Sequence, residues 1–202
     1  MLRKLLISVF ILTYFSGCAL VQERNQESIK ISFTEPNRIS FQGKGAGAGM
    51  ALMGAMGPMG IALGVAIDEG IAKDLRESAF KGGFDIHQSV SDAITEVSQG
   101  NWIASFDPNV VTDLELRIKK YGFKTTGGED DATSADVVIE FVQSGDVIRE
   151  IHYPNDFEEK NDLVNTYPLD VLKSDGEKAS TLITEALNIM LDDFYNSNVS
   201  AL

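Results

Sequence analysis

The chain is poor in the residues from which most catalytic and metal sites are built. Among its 202 residues are one cysteine and two histidines. A single cysteine cannot form an intrachain disulfide, and His87 and His152 alone make a poor zinc or catalytic pair. The motifs HExxH, GxSxG and G-x-x-x-x-G-K-[ST] are all absent. Because no nucleophile and base can be named, the sequence predicts a non-enzymatic protein without cofactor or metal.

Basic residues are also scarce. The chain has 17 Lys and Arg against 30 Asp and Glu, a formal net charge of −13 at pH 7. Phosphate backbones repel such a chain, so nucleic acid is not an expected partner. The same charge weakens binding to anionic lipid head groups, so we expect any membrane contact to be apolar or covalent. The 44% hydrophobic and 23% charged content is typical of a globular protein.

Residues 1–17 have the three parts of a secretory signal peptide. A basic start at residues 3–4 is followed by an uncharged apolar stretch at 5–15 and by two small residues at 16–17. The apolar stretch would form about 16 Å of helix at 1.5 Å per residue. A bilayer core is roughly 30 Å thick, so this stretch is too short to be a stable transmembrane span.

The residues Phe15-Ser16-Gly17-Cys18 resemble the lipobox of bacterial lipoproteins. The resemblance implies that a diacylglycerol is attached to the Cys18 sulfur, that cleavage falls between Gly17 and Cys18, and that the new amino group receives a palmitate-type chain. Leu is commonest at the first position, so Phe15 departs from the pattern. The alternatives are a plain signal peptide followed by an incidental cysteine, or a buried free thiol. Ala19 replaces the Asp that commonly retains such proteins in the inner membrane. The resemblance therefore implies the outer membrane, and we expect the periplasmic face.

Residues 43–70 form an unusual stretch that contains half of the 18 glycines. Residues 45–67 carry no charge, and four methionines recur there at every third position. Four glycines have the small-xxx-small spacing that lets two helices approach closely in lipid: Gly45, Gly49, Gly60 and Gly64. The segment resembles the glycine-zipper stretches of several outer-membrane lipoproteins, and these glycines are therefore predicted to mediate membrane insertion or self-association.

Three interpretations of residues 43–70 remain open. The segment is a membrane-inserted or self-associating helical hairpin that turns near Gly57-Pro58, a helix pair packed against its own domain, or a flexible apolar linker. Each glycine costs up to ~1 kcal/mol in a water-exposed helix, and Pro58 costs more. Lipid or protein contact must therefore hold any helix here. The expected partners are the membrane, a second copy of the chain or another envelope protein.

The remaining patterns predict an α+β protein. After a tether at 18–27, two alternating stretches around a turn predict a β-hairpin over 28–42, and residues 71–202 are predicted to form a periplasmic domain. Helices are predicted over 61–80 and 85–98, and a third helix is predicted to begin between 174 and 177 and to end near 195. Strands are predicted over 101–106, 111–123, 137–142 and 147–153. These elements predict an antiparallel sheet of three to four strands with helices on one face, preceded by the signal peptide, the β-hairpin and the apolar Gly/Met-rich helical segment.

Two functions follow from these patterns. The first is a lipid-anchored cell-envelope lipoprotein with a structural, assembly or interaction role. The second is a module that binds or transports an envelope lipid or another apolar ligand, and a hydrolase ranks last. The helices followed by TDLELRIKKYGF and ADVVIEF are similar to the compact periplasmic domains of envelope-assembly lipoproteins. Five aromatic residues either line an apolar groove or, as is commoner, pack in the core: Trp102, Phe106, Tyr121, Phe123 and Tyr153.

Overall fold

The computed structural model describes residues 26–126, 131–159 and 163–199. Residues 1–17, Cys18 and the tether as far as residue 25 lie outside the described residues. Eight strands and five α-helices form within the described part of the chain. In chain order they are β1 (Glu27–Phe33), β2 (Ile39–Gln42), α1 (Lys44–Met56), α2 (Pro58–Lys81), α3 (Ile86–Val97), β3 (Trp102–Ser105), β4 (Leu114–Thr125), β5 (Ala132–Ala135), β6 (Val137–Gln143), β7 (Asp146–Tyr153), β8 (Tyr167–Pro168), α4 (Leu169–Ser174) and α5 (Gly176–Val199).

The long strand β4 is the centre of one mixed sheet. Strands β1 and β2 pair with it in parallel, and β6 and β5 pair with it antiparallel. Strand β3 extends the sheet beyond β1, β7 beyond β6, and β8 beyond β5. The fold is α+β, but the predicted antiparallel sheet of three to four strands is wrong. Side chains alternate in the same way in parallel and antiparallel strands, so the alternation in the sequence did not report direction or partner.

The predicted β-hairpin over residues 28–42 is also wrong. Strands β1 and β2 do not pair with each other, because both run parallel to β4 along successive parts of its length. The segment between them leaves the sheet and returns to it without reversing the direction of the chain. It is held to β4 by the Thr34 amide, which donates to the Ile118 carbonyl at 3.0 Å, and by the Tyr121 hydroxyl, which donates to the Pro36 carbonyl at 2.5 Å.

An irregularity in β4 accompanies this excursion. The register between β4 and β6 shifts between Ile118 and Lys120, which is the mark of a β-bulge. Before the shift Leu116 and Ile118 are buried, and after it Tyr121 and Phe123 are buried. The extra residue thus restores the same face of the strand to the core after a break in strict alternation.

Helices α3, α5 and the second half of α2 contribute to the same core as the sheet. The spacing of apolar residues in the last predicted helix predicts one apolar face. This face is confirmed on α5, since its six residues are buried: Leu182, Ile183, Ala186, Leu187, Met190 and Phe194. Phe194 stacks on Phe141 of β6, with ring centroids 3.4 Å apart and nearly parallel planes. Asp85 at the start of the helix predicted over 85–98 is of the residue type that caps a helix N-terminus. This cap is confirmed at α3, because the Asp85 carboxylate accepts from the His87 and Gln88 amides.

Three short elements lie where the sequence predicts only loop. Strands β5 and β8 pair with each other, and α4 follows directly after β8. Elements of two to six residues contain too few positions to show a period, and their stability comes from distant partners. Ser174 and Glu177 have the spacing of a capping box, but the structure does not form one. The Ser174 hydroxyl donates to the Asp170 carbonyl at 2.9 Å, and the carboxylate of Asp175 accepts from the Lys178 amide at 3.2 Å.

Candidate functional site

Helices α1 and α2 form a helical hairpin that turns at Gly57. Gly57 has a positive φ of 58°, which glycine adopts without a steric penalty, and its amide donates to the Met53 carbonyl at 2.9 Å. Pro58 occupies the first turn of α2, where no amide donor is required. The predicted turn near Gly57-Pro58 is therefore confirmed, and the interpretation of residues 43–70 as a flexible linker is wrong.

The four glycines predicted to mediate close helix contact meet each other inside this hairpin. A β-carbon built on Gly45 would lie 1.9 Å from the Gly64 carbonyl oxygen, and one on Gly64 would lie 2.2 Å from that of Gly45. A β-carbon on Gly49 would lie 3.2 Å from the Gly60 carbonyl oxygen, and one on Gly60 would lie 2.6 Å from the Met53 amide nitrogen. The two helix backbones are thus in direct contact. The glycine spacing in the sequence serves a pairing within one chain.

The base of the hairpin is polar and tied to the domain. The Gly45 amide donates to a carboxylate oxygen of Asp68 at 2.5 Å, which links the start of α1 to the middle of α2. Lys44 forms an ion pair with Asp131. Beyond this base, the C-terminal half of α2 contributes Ile71, Leu75 and other residues to the core. The hairpin is therefore anchored to the domain at one end, and the large hydrophobic side chains at its other end are not part of the core.

The charge-free part of the hairpin exposes large hydrophobic side chains. Met50 is 73% exposed and Val65 is 64% exposed, whereas Leu75 further along α2 is fully buried. Eight large apolar residues of the hairpin are exposed: Met50, Met53, Met56, Met59, Ile61, Leu63, Val65 and Ile67. Contiguous apolar surfaces of this kind mark protein, ligand or membrane contact sites in soluble proteins. This surface, called the apolar tip below, is the candidate functional site.

A groove runs along one side of the apolar tip. Its volume is about 380 Å³, and Met50 and Met53 of α1 line it opposite Ile61 and Val65 of α2. Gln42 and Asp68, near the base of the hairpin, also line it. An apolar groove with few polar groups is suited to a hydrocarbon chain or another apolar group.

Most of the aromatic residues considered for a second groove are in the core. Tyr121, Phe123 and Tyr153 are at most 2% exposed, so core packing is confirmed for these three. Burial raises the pKa of Tyr121 to about 12 and also raises that of Tyr153. Trp102 packs edge-on against Tyr195 of α5. Phe106 lies at the surface, where its ring contacts that of His87.

The candidate residues for chemistry are dispersed. The ring of His87 contacts two phenylalanines, whereas His152 lies on β7 with its Nε2 atom 2.5 Å from a carboxylate oxygen of Glu150. In the portion of the chain that the structure describes, no group of three or more His, Cys, Asp or Glu side chains is placed to hold a metal ion. Acidic residues cluster over 129–136 and 156–162, where a solvated acidic loop is the favoured interpretation over a calcium site. Of these residues, Glu129, Asp130 and Asp162 lie outside the described residues.

The open face of the sheet holds a charge cluster that the sequence did not reveal. Glu140 of β6 has a side chain only 7% exposed, and it accepts from Lys119 at 2.9 Å and from Arg117 at 3.0 Å. The Lys119 ammonium lowers the pKa of Glu140 most; burial opposes this shift and Arg117 adds to it. Only the pairing of β4 with β6 brings these side chains together, although a buried acid within a β-branched strand was a possible clue.

We expect the stability that Glu140 contributes to depend on pH. Because its pKa is lower in the folded chain than the unfolded value of about 4.3, the contribution is complete above that value and disappears as the pH falls through the folded pKa. Glu140→Gln should therefore lower the urea midpoint at neutral pH, and the difference from wild type should shrink on acidification. The exposed Glu158→Gln is the control. A difference that is constant with pH would contradict this account.

No protein-family model, curated protein or solved structure matches the chain. Of the helices in the described ranges, none combines the length and the apolar character needed to cross a membrane. The features of the chain that bear on its function are therefore the apolar tip and the lipobox-like sequence at Cys18.

Proposed function

We propose that the protein is a cell-envelope lipoprotein, held at the periplasmic face of the outer membrane by lipid on Cys18, with a structural, assembly or interaction role and no enzymatic activity. The observation that carries the proposal is the apolar tip, whose eight large hydrophobic side chains are exposed on a helical hairpin. Such a surface needs a partner, and a lipid anchor keeps the chain beside apolar partners. A membrane, a second copy of the chain and another envelope protein all meet this requirement.

The sequence of the apolar tip supports a contact that does not depend on charge. The formal net charge of the chain is −13 at pH 7, and residues 45–67 contain no charged side chain. Anionic head groups would repel the domain, so attraction has to come from apolar surface or from covalent lipid. Two or three acyl chains hold a protein on a membrane stably, whereas a single chain binds only marginally.

The anchor is tested by replacing Cys18 in cells that express the whole chain. We expect wild type to incorporate radiolabelled palmitate and to fractionate with the outer membrane, because the Cys18 thiol is the only one in the chain. Cys18→Ser should lose all label. Ser16→Ala, which keeps a small residue before the cysteine, is the matched control and should retain the label. Equal labelling of wild type and Cys18→Ser would refute lipidation at this residue.

A second candidate function is the binding of an envelope lipid or another apolar ligand. The groove of about 380 Å³ favours it, because Met50, Met53, Ile61 and Val65 give it mostly apolar walls. Native mass spectrometry of protein extracted in mild detergent distinguishes the two functions. A retained lipid-sized mass that Val65→Asp removes supports the carrier, whereas a mass equal to that of the acylated chain alone supports the structural role.

A further inference from the structure

We propose that the apolar tip inserts into the hydrocarbon layer of a single membrane leaflet without crossing the bilayer. The inference rests on the proposed function and names the partner of the same site as phospholipid acyl chains. Four features of the hairpin favour lipid over a second protein chain: the distribution of its exposed side chains, the position of its charges, its length, and the pairing of its backbone groups.

The exposed apolar side chains surround α2 and do not form one stripe. Between Met59 and Ile67 every residue is exposed except Gly60 and Gly64, which face α1. A helix that docks on one protein surface needs an apolar face and a polar one, whereas a helix that is apolar all round is suited to complete immersion. The glycine face, which would best admit another helix, is already occupied by α1. Lipid covers such a surface on all sides at once.

Charged residues delimit the apolar tip at one level. Lys44 precedes the charge-free stretch and Asp68 follows it, and the hydrogen bond of 2.5 Å from the Gly45 amide to Asp68 holds these two ends side by side. All residues beyond that level are uncharged, and both acidic and basic residues follow below it. A boundary of this kind matches the step from the head-group region to the hydrocarbon core.

The length of the apolar tip matches one leaflet. Residues 45–56 of α1 span about 18 Å and residues 58–67 of α2 about 15 Å, at 1.5 Å per residue. Half of a hydrocarbon core of about 30 Å is about 15 Å. The turn at Gly57 would therefore lie near the bilayer midplane, and the chain would return to the side from which it entered.

Two backbone amides at the turn are paired within the hairpin, which favours entry into hydrocarbon. An unpaired peptide group costs several kcal/mol in lipid, so only regular helices or internally bonded turns enter it. At the turn the Gly57 amide donates to Met53 at 2.9 Å, and the Gly60 amide donates to Gly57 at 3.0 Å. Pro58, between them, has no amide hydrogen to satisfy. The tip thus brings few unpaired donors into lipid.

Vesicle binding tests the insertion without the anchor. The chain from residue 18 onward, with Cys18→Ser, is mixed with vesicles of phosphatidylethanolamine and phosphatidylglycerol and sedimented. We expect it to bind, and Ile61→Asp with Val65→Asp to weaken binding by about 100-fold or more, because each aspartate opposes insertion into hydrocarbon. Val147→Asp with Ile148→Asp is the matched control, since these β7 side chains are about 50% and 47% exposed outside the hairpin. We expect the control to bind within about twofold of its parent.

Depth measurements separate insertion from the alternatives. In the Cys18→Ser chain, Met59→Cys and Ile67→Cys each provide one site for a nitroxide label, and Val147→Cys provides a reference in the domain. Dissolved oxygen is concentrated in hydrocarbon and speeds the spin relaxation of a nitroxide. With vesicles, we therefore expect the oxygen-induced relaxation rate to be highest at residue 59, lower at 67 and lowest at 147, in the order of depth. Equal access of a water-soluble nickel reagent to all three labels would overturn the proposal. A dimer that forms without vesicles and dissociates with Ile61→Asp would overturn it in favour of a second copy.

Failure of this inference and failure of the proposed function are distinguishable. Palmitate labelling at Cys18 reports the anchor alone, in whole cells. The vesicle experiments use a chain that carries no lipid, so they report the apolar tip alone. Suppose that wild type incorporates palmitate but the Cys18→Ser chain does not bind vesicles. The protein would then still be an envelope lipoprotein, and its apolar tip would bind something other than lipid.

Discussion

Leucine in place of Gly64 is expected to detach α1 from α2. A β-carbon at this position would lie 2.2 Å from the Gly45 carbonyl oxygen and 2.9 Å from the Gly49 α-carbon. Both are backbone atoms, which cannot move aside as a flexible side chain does. Overpacking of this kind costs about 1–3 kcal/mol. In hydrogen-exchange mass spectrometry, the amide protection of residues 46–56 should fall by about 10- to 100-fold.

Detached α1 has little reason to stay helical. It is 13 residues long, and isolated helices of that length are marginal in water. It also contains four glycines, each of which costs up to about 1 kcal/mol relative to alanine. The large hydrophobic residues of the core lie outside α1, so we expect the unfolding midpoint of the rest of the chain to change little.

Gly54→Ala is the matched control for this effect. No described atom lies within 4 Å of a β-carbon placed at Gly54, so alanine fits there without a shift. Because alanine favours the helix, protection of α1 should stay the same or rise, by up to about 1 kcal/mol. If Gly64→Leu and Gly54→Ala leave α1 equally protected, the glycine contacts do not hold the hairpin together.

Alanine in place of Phe141 is expected to produce the largest loss of global stability. Phe141 lies on β6, is fully buried, and stacks on Phe194 of α5 with centroids 3.4 Å apart. Its removal leaves a cavity between the sheet and the helix layer, and substitutions of this type cost about 3–5 kcal/mol. For a domain of this size, that corresponds to a decrease in Tm of about 10 °C. Urea titration and thermal melting by circular dichroism measure both quantities.

Val147→Ala on the neighbouring strand is the control for Phe141→Ala. Val147 is 50% exposed, so truncation removes little buried surface and should change the free energy of unfolding by no more than about 0.5 kcal/mol. If Phe141→Ala and Val147→Ala melt at similar temperatures, α5 does not depend on its contact with β6. The two layers would then be stabilised mainly by other contacts, such as those of α3 with α5.

Much of the secondary structure could be predicted from local pattern. The alternation of Leu114, Leu116 and Ile118 identified β4, and apolar residues three to four apart identified α5. These patterns repeat over several turns or pleats, so one misleading residue does not hide them. The pairing of β1 and β2 with β4 could not be predicted in the same way, because turn-forming residues between two strands are compatible with either a reversal or an excursion.

The candidate site was predicted in part. The glycine spacing indicated close helix contact, and the Gly57-Pro58 pair indicated the turn. Composition alone did not show that Gly45 meets Gly64 within one chain, because the same spacing serves contact between chains equally well. The exposure of the methionines could not be predicted from the sequence either, since apolar residues are most often buried. The Glu140 cluster required two strands to be adjacent.

The sequence by itself determined the properties that depend on neighbouring residues: the net charge, the lipobox-like segment at Cys18, the charge-free stretch over residues 45–67 and the main helices. These follow from composition and short-range geometry, which a linear pattern contains. Only the tertiary structure decided which faces are covered. It placed the second half of α2 in the core and left the apolar tip exposed, because the glycine contacts fold α1 back on α2 beyond the edge of the domain. Burial depends on distant partners, and no local pattern records them.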